Sequence, residues 1–473
     1  MTSRRAGVLV WLVSAALAGC ALGPDYVRPE GLTPDRWQAA LPHDGRTAAL
    51  VDWWAAFDDP LVAELIDVAE HDSPSLDQAL ARIRQSRSEV TVARSTLYPE
   101  ASLSASRTRS GDRPVTFEQT LRRGALDASW EIDLFGGIRR RDEAAQARLE
   151  GATAAWHDAR ISLAAEVALE YVGLRACEAR LADAVTDHAS RRITERLTLA
   201  KARAGFAAPA EASLAQASAA DGATRRLALE VECALGVKAL VALTGLPEND
   251  LQQRLAPGRA RLPQPAALVV DAVPVRVLSA RPDVAVAERG LAAASAGIGV
   301  AEAARYPRLS LLGMIGRQWQ TVDGSEASGR IWSFGPALDL PLFDAGRRAA
   351  QAEAARARYD EALAAYKGVV RKAVREVEQS LVRLGSVAER QEQARRAAEH
   401  YDEALVAADA RWRIGLGSQL ELEEVRRMAV AARSQYVSVR LDGVAAWIGL
   451  YRAVGGAWNH AAEPLTHESE TRP

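Results

Sequence analysis

One stretch with two periodicities in succession constrains this chain more than any other. From Trp332 to Leu342 the larger apolar residues fall on even numbers: Trp332, Phe334, Leu338, Leu340 and Leu342. That is the period of a strand with two unlike faces. Phe343-Asp344-Ala345-Gly346 breaks the pattern, and a long helical run follows. The same object occurs earlier, as Leu126, Ala128, Trp130, Ile132 and Leu134, then Phe135-Gly136-Gly137 and Arg139-Arg140. Phe135 and Phe343, Tyr98 and Tyr306, and Pro74 and Pro282 are each 208 residues apart. The chain therefore reads as a tandem duplication with a period too long for a solenoid.

Within each copy the order is helix, two strands, long helical hairpin. The first copy spans 61–246, with strands in 101–134 and a hairpin over 137–245. The second spans 276–456, with strands in 308–342 and a hairpin over 345–455. A proline-rich linker, 247–275, joins them, and a polar tail, 457–473, follows. The first strand pair is expected at about 101–110 and 117–134, the second at about 308–319 and 331–342. These lengths suit tilted strands that cross a bilayer.

From Gly137 to Ala204 there is no proline, and good helix formers dominate. A helix of that length is roughly 100 Å long, too long for the interior of an ordinary domain. Leu163, Val167, Leu174, Cys177, Leu181 and Ala184 step by three and four apart from Glu170, which is a coiled-coil seam. Val370, Val374, Val377, Leu381, Leu384 and Ala388 repeat it. Turns at Gly205 and at Gly415-Leu416-Gly417 send each hairpin back. Cys177 and Cys233 are centred on Gly205, so they are expected level with each other on adjacent helices. They form either a disulfide or a pair of buried thiols.

Residues 1–19 have Arg4 and Arg5 before an apolar run from Ala6 to Ala18, then Leu17-Ala18-Gly19-Cys20. This reads as a secretory signal. Residues 20–60 form an irregular arm rich in proline, in which Trp53-Trp54 reads as a packing anchor rather than a ligand site. No later stretch has 18 consecutive apolar residues, so a membrane crossing would need a closed barrel. Four strands cannot close one, whereas strands pooled from several chains can.

The net charge of −2 gives no basis for nucleic-acid binding. The seven histidines are scattered without metal-ligand spacing, and no nucleophile elbow or phosphate loop appears. An enzyme, a resident metal and a cofactor are not expected. A purely structural coiled-coil lipoprotein would account for the helices but not for the duplicated strand pairs.

Several motifs together resemble the outer-membrane efflux factors of the TolC-like family, in its OprM- and NodT-type lipoprotein group. They are Cys20 with Pro24-Asp25-Tyr26, Trp53-Trp54 through Pro60, Tyr98-Pro99, Ala128 through Gly136, Arg281-Pro282-Asp283-Val284 through Tyr306-Pro307, and Phe334-Gly335-Pro336 through Gly346-Arg347. The fold class implied is mainly α with a small β part. Each chain would supply four strands to a trimeric 12-stranded outer-membrane barrel and helical hairpins to a periplasmic α-barrel. The partners implied are two further copies, a periplasmic adaptor, an inner-membrane transporter of the resistance-nodulation-division type, and outer-membrane lipid. Leu-Ala-Gly-Cys resembles a lipobox, which implies cleavage before Cys20 and lipidation there; an ordinary signal peptide with an incidental Cys is the alternative. Ala21 is not the Asp that retains such lipoproteins at the inner membrane.

After the second tip Leu420, Glu424 and Arg427 share one helix face, while Val425, Ala429, Ala432, Tyr436 and Val439 form a packing seam. The resemblance implies a periplasmic gate built from Leu420, Glu424, Arg427 and, before the turn, Arg411. The alternative is a solvated charged face with ordinary intrahelical pairs.

Overall fold

A computed structural model of the chain describes residues 21–29, 53–54, 57–112, 117–265, 278 and 281–456. Cys20, the signal, most of the arm and the polar tail lie outside the described residues. In chain order the elements are α1 (Leu61–His71), α2 (Pro74–Ser95), β1 (Glu100–Asp112), β2 (Phe117–Ile132), α3 (Gly137–Arg203), α4 (Pro209–Thr244), α5 (Glu248–Leu255), α6 (Pro282–Ala303), β3 (Arg308–Val322), β4 (Ser325–Asp339), α7 (Arg347–Arg413) and α8 (Gln419–Ala453). The two long helices, α3 and α7, each have 67 residues. The segment read as a linker holds α5, whose Leu251 and Leu255 are buried.

The chain divides into two compact units. Of the described residues, the first takes 21–29, 79–112, 117–155 and 285–369, so it draws on both copies of the duplication. Its centre is a four-stranded antiparallel sheet in the order β1-β2-β3-β4. The sheet crosses the duplication where β2 pairs β3, with Leu126 opposite Ile315. β3 and β4 extend past the expected strand limits to a two-residue turn, Asp323-Gly324, at φ 46° and 83°. Both residues take positive φ, the hairpin geometry that Asp-Gly favours. At its other end β4 stops at Asp339, short of the expected Leu342; Pro341 lacks the amide proton a paired strand needs.

The strand-to-helix junctions of the two copies use the same device. Asp133 accepts from the amides of Ile138 and Arg139, each at 3.0 Å, and Gly136 takes φ 76°. Asp344 accepts from the amides of Gly346 at 3.1 Å and Arg348 at 3.3 Å. A carboxylate there satisfies orphan helix donors and complements the helix dipole. α6 is apolar and long enough to span a membrane. Its Ala292, Ala293 and Ala296 instead pack on Ala144 and Ala147 of α3.

Of the described residues, the second unit takes 53–54, 57–78, 156–265, 278, 281–284 and 370–456. Its core gathers Val62 and Leu65 of α1, Val167 and Tyr171 of α3, Leu240 of α4, Leu251 of α5, Val377 and Leu381 of α7, and Ile448 of α8. Of the expected α7 seam, Val370, Val377 and Leu381 are buried and Val374 and Leu384 half-buried, whereas Ala388 is exposed. Trp53 is buried, with its ring 4.4 Å from that of Trp447, and Trp54 lies 4.7 Å from Tyr451. The tryptophan pair is thus a packing anchor.

Arg175 is fully buried and donates to the carbonyls of Leu255 at 2.9 Å and Pro257 at 2.8 Å, closing the end of α5. Arg281 pairs with Asp283 and Glu376, at 2.7 and 2.8 Å, and donates to Ala453 O at 2.8 Å. The Arg281-Pro282-Asp283 motif therefore clamps the start of α6 to α7 and α8.

Candidate functional site: a two-faced sheet and the helical tips

Strand register decides what each face of the sheet carries. One face has Leu103 opposite Leu126, Leu126 opposite Ile315, and Ile315 opposite Trp332. On the same face follow Phe334 opposite Gly313, Trp130 opposite Leu311, then Ile132, Leu309 and Leu338. Leu103, Trp332 and Phe334 are 84%, 77% and 75% exposed. From the Trp332 row to the Leu338 row is about 20 Å along the strand, close to the apolar band of a membrane barrel. The opposite face is mostly polar, with Ser102, Ser104, Arg123, Asp127, Ser129, Glu131 and Ser310, and also carries Leu312, Met314 and Ile331. There Arg123 and Asp127 are 3.3 Å apart, and Ser104 also donates to Asp127. β1 and β4 each have a free edge among the described residues, and such an edge is a template for pairing with a further strand.

The residues that follow Cys20 are held at the helix end of this sheet. Leu22 N donates to Phe135 O at 3.1 Å. Arg140 bonds Leu22 O at 3.2 Å and Asp25 at 2.6 Å. A Cβ on Gly136 would fall 2.6 Å from the Cα of Ala21. Tyr26 bonds Glu288 at 3.5 Å, and burial first, then Glu288, pushes its phenol up. The Phe135 and Tyr306 rings stack 4.8 Å apart at the same junction. Phe135 and Tyr306 are motif positions of the two copies, so the duplication meets itself here.

The two hairpin tips end in the same turn. Gly205 and Gly415 take φ 78° and 82°. Phe206 N donates to Lys201 O at 2.8 Å, and Leu416 N to Arg411 O at 2.9 Å. Each is a glycine cap in which backbone amides satisfy the last helical carbonyls. Ser418 caps α8 by accepting from Glu421 N at 3.1 Å. A small core of Ala408, Trp412 and Leu422 supports the second tip, and the Lys201 ammonium sits 4.8 Å over the Trp412 ring.

Leu420, Glu424 and Arg427 are all exposed, on the α8 face turned away from the packed hairpins. Leu420 is 62% exposed. Arg411, before the turn, pairs with Glu421 of its own chain at 2.7 Å and donates to Leu416 O at 3.4 Å. Of the expected α8 seam Ala429 and Val439 are buried, while Val425, Ala432 and Tyr436 are half-buried.

Behind the exposed stripe lies a buried polar lock that sequence reasoning missed. Gln419, Glu423 and Arg426 step by four and three on α8, and all are at most 5% exposed. Glu423 accepts from Arg426 at 2.6 Å, Gln419 at 3.1 Å, Arg191 of α3 at 3.3 Å, and Ser218 of α4. Arg191 also pairs with Asp187 at 2.7 Å, and Arg426 donates to Ser190 and Thr194, each at 3.3 Å. Two cations and two carboxylates thus join α8 to α3 and α4 in a buried setting where each depends on the others. Just above, burial pushes the Asp183 carboxyl up; Arg433 opposes this and Asp402 adds to it.

Cys177 and Cys233 are bonded, with Cα atoms 5.6 Å apart. The register centred on Gly205 is therefore correct, and of the two alternatives the structure takes the disulfide rather than the free thiols. Among the described residues no cluster of His, Cys, Asp and Glu could hold a metal ion.

The family profile described as "Outer membrane efflux protein" matches the chain twice, over residues 65–246 and 273–456. Nodulation protein T of Rhizobium leguminosarum bv. trifolii is 29% identical over 455 residues, covering 95% of this chain and 97% of that protein. Outer membrane protein OprJ of Pseudomonas aeruginosa is 29% identical over 476 residues, with 98% of each covered. Among solved structures, the outer-membrane channel OprN superposes with a TM-score of 0.84 at 30% identity, covering 93% of this chain and 100% of that one.

Proposed function

The chain belongs to the outer membrane efflux protein family and is an outer-membrane efflux channel, and from that premise we propose how it is built and shut. It works as a homotrimer, the exit duct of a tripartite pump. It receives small molecules from a periplasmic adaptor and an inner-membrane transporter of the resistance-nodulation-division type. The observation that carries the trimer is the four-stranded sheet, with an apolar band on one face, a mostly polar opposite face, and both edges free among the described residues. Three such sheets close a 12-stranded barrel with lipid outside and water inside, which leaves no edge in the hydrocarbon. The likeness to the toluene efflux pump outer membrane protein TtgF of Pseudomonas putida, 29% identical over 482 residues, supports apolar small molecules as cargo of this chain.

Cys20 carries the lipid. Ala21 and Leu22 lie against Gly136 and Phe135, where β2 passes into α3, so acyl chains on the preceding residue enter the bilayer at the periplasmic end of the barrel. Mass spectrometry of the mature protein is expected to lack residues 1–19 and to show acyl mass on Cys20; an N-terminus elsewhere sinks the assignment.

Leu420 and Glu424, with Arg427 one turn on, form the resting gate where three copies of α8 converge, and Arg411 stands beside it at the tip. The buried lock directly behind the stripe, which fixes the α8 face that carries it, supports this reading. Exposed pairs of this kind contribute about 0–1 kcal/mol each, weak enough for an adaptor to open.

The test of the channel is conductance in planar bilayers together with a heat-modifiable gel band. A trimeric barrel gives both, and a coiled-coil scaffold gives neither.

A further inference from the structure

The strand face that carries the apolar band changes character at its turn end. Above the row of Leu103, Leu126, Ile315 and Trp332 comes a row of Ala105, Gly124, Arg317 and Arg330, then one of Arg107, Arg122, Trp319 and Ser328. Arg107 is directly opposite Arg122, and Arg317 directly opposite Arg330. Like charges directly opposite each other destabilise a sheet, and here this occurs twice, in adjacent rows. One row further, Arg109 is paired with Glu118. Arg107, Arg122, Arg317 and Arg330 have no acidic partner within ion-pair distance among the described residues. Glu326, beyond them, lines the same open recess as Arg107, Arg122 and Trp319, about 930 Å³ in volume. The Arg317 guanidinium sits 5.6 Å from the centre of the Trp319 ring, an aromatic placed where barrels carry their interfacial girdle.

Resting on the orientation proposed above, with the strand turns outside the cell, we propose that these two arginine pairs bind the phosphate groups of the phosphorylated glycolipid that forms the outer leaflet. Arginine holds phosphate with paired, charge-assisted hydrogen bonds. Charge at the edge of an apolar band is tolerated where charge at its middle is not. Two opposed pairs in successive rows match a headgroup with two phosphates better than a phospholipid with one. In the trimer Arg330, on the edge strand β4, comes beside β1 of the next chain, so each seam between protomers carries such a site.

The full-length trimer in detergent is titrated with lipopolysaccharide, with enzymatically dephosphorylated lipopolysaccharide and with phosphatidylglycerol. Lipopolysaccharide is expected to bind the wild type at least tenfold more tightly than either of the others. The quadruple variant Arg107→Gln, Arg122→Gln, Arg317→Gln, Arg330→Gln is expected to lose that preference while keeping its heat-modifiable band. Equal affinity of the wild type for the dephosphorylated form, equal affinity for phosphatidylglycerol, or an unchanged preference in a folded variant overturns the proposal. Should the variant not assemble, the two control lipids on the wild type decide alone. These outcomes are independent of conductance: a non-conducting protein that still prefers the phosphorylated glycolipid overturns the channel reading and not this one.

Discussion

Glu423→Ala is expected to lower the stability of the helical hairpins by about 3–5 kcal/mol, the usual cost of stranding a buried charge. The carboxylate faces both Arg191 and Arg426, which are 4% and 2% exposed. Without it Arg191 retains Asp187, but Arg426 is left with the hydroxyls of Ser190 and Thr194 alone. The unfolding midpoint of the detergent-solubilised protein is expected to fall clearly. Removing both partners, as Glu423→Ala with Arg426→Met, is expected to recover much of the loss, because no unpaired charge then remains. A single variant that melts with the wild type shows that water reaches the lock and that it holds nothing.

Loss of the Cys177–Cys233 bond is the second large effect expected. The bond closes a loop with a sequence separation of 56. On the chain-entropy account such a cross-link is worth about 4 kcal/mol, because it restricts the unfolded chain. Cys177→Ser with Cys233→Ser is expected to lower the unfolding midpoint by several degrees while leaving the heat-modifiable barrel in place. With Cys20 acylated, denatured wild type is expected to take up no maleimide until reduced, and then two equivalents. Two equivalents before reduction would show free thiols and contradict the structure.

Much of the architecture was legible because the chain states it twice. The shared junction motif and the single offset located both strand pairs and both hairpins, and the steps of three and four found Val167, Leu174 and Cys177 on the buried face. The Asp323-Gly324 turn was missed, although Asp-Gly between two strand patterns is a strong hairpin signal; the polar residues around it read as loop. Gln419, Glu423 and Arg426 were missed for a deeper reason. A polar stripe at helical spacing has the same pattern whether it faces water or a second polar stripe, and here Arg191, Ser218 and Thr194 come from helices more than two hundred residues away. The stripe of Leu420, Glu424 and Arg427 was legible as a face, but what it meets depends on two further chains. Arg411 was placed by resemblance, and its pairing with Glu421 is set by the tip turn itself.

The central claim is that the duct is shut at the tip by the exposed stripe of α8. Single-channel conductance of Glu424→Ala with Arg427→Ala, measured beside the wild type in planar bilayers, tests it most directly. Neither residue belongs to the buried lock, so assembly is expected to be retained. The account predicts a small resting current for the wild type and a severalfold larger one for the double variant. A double variant that assembles and conducts like the wild type would contradict it.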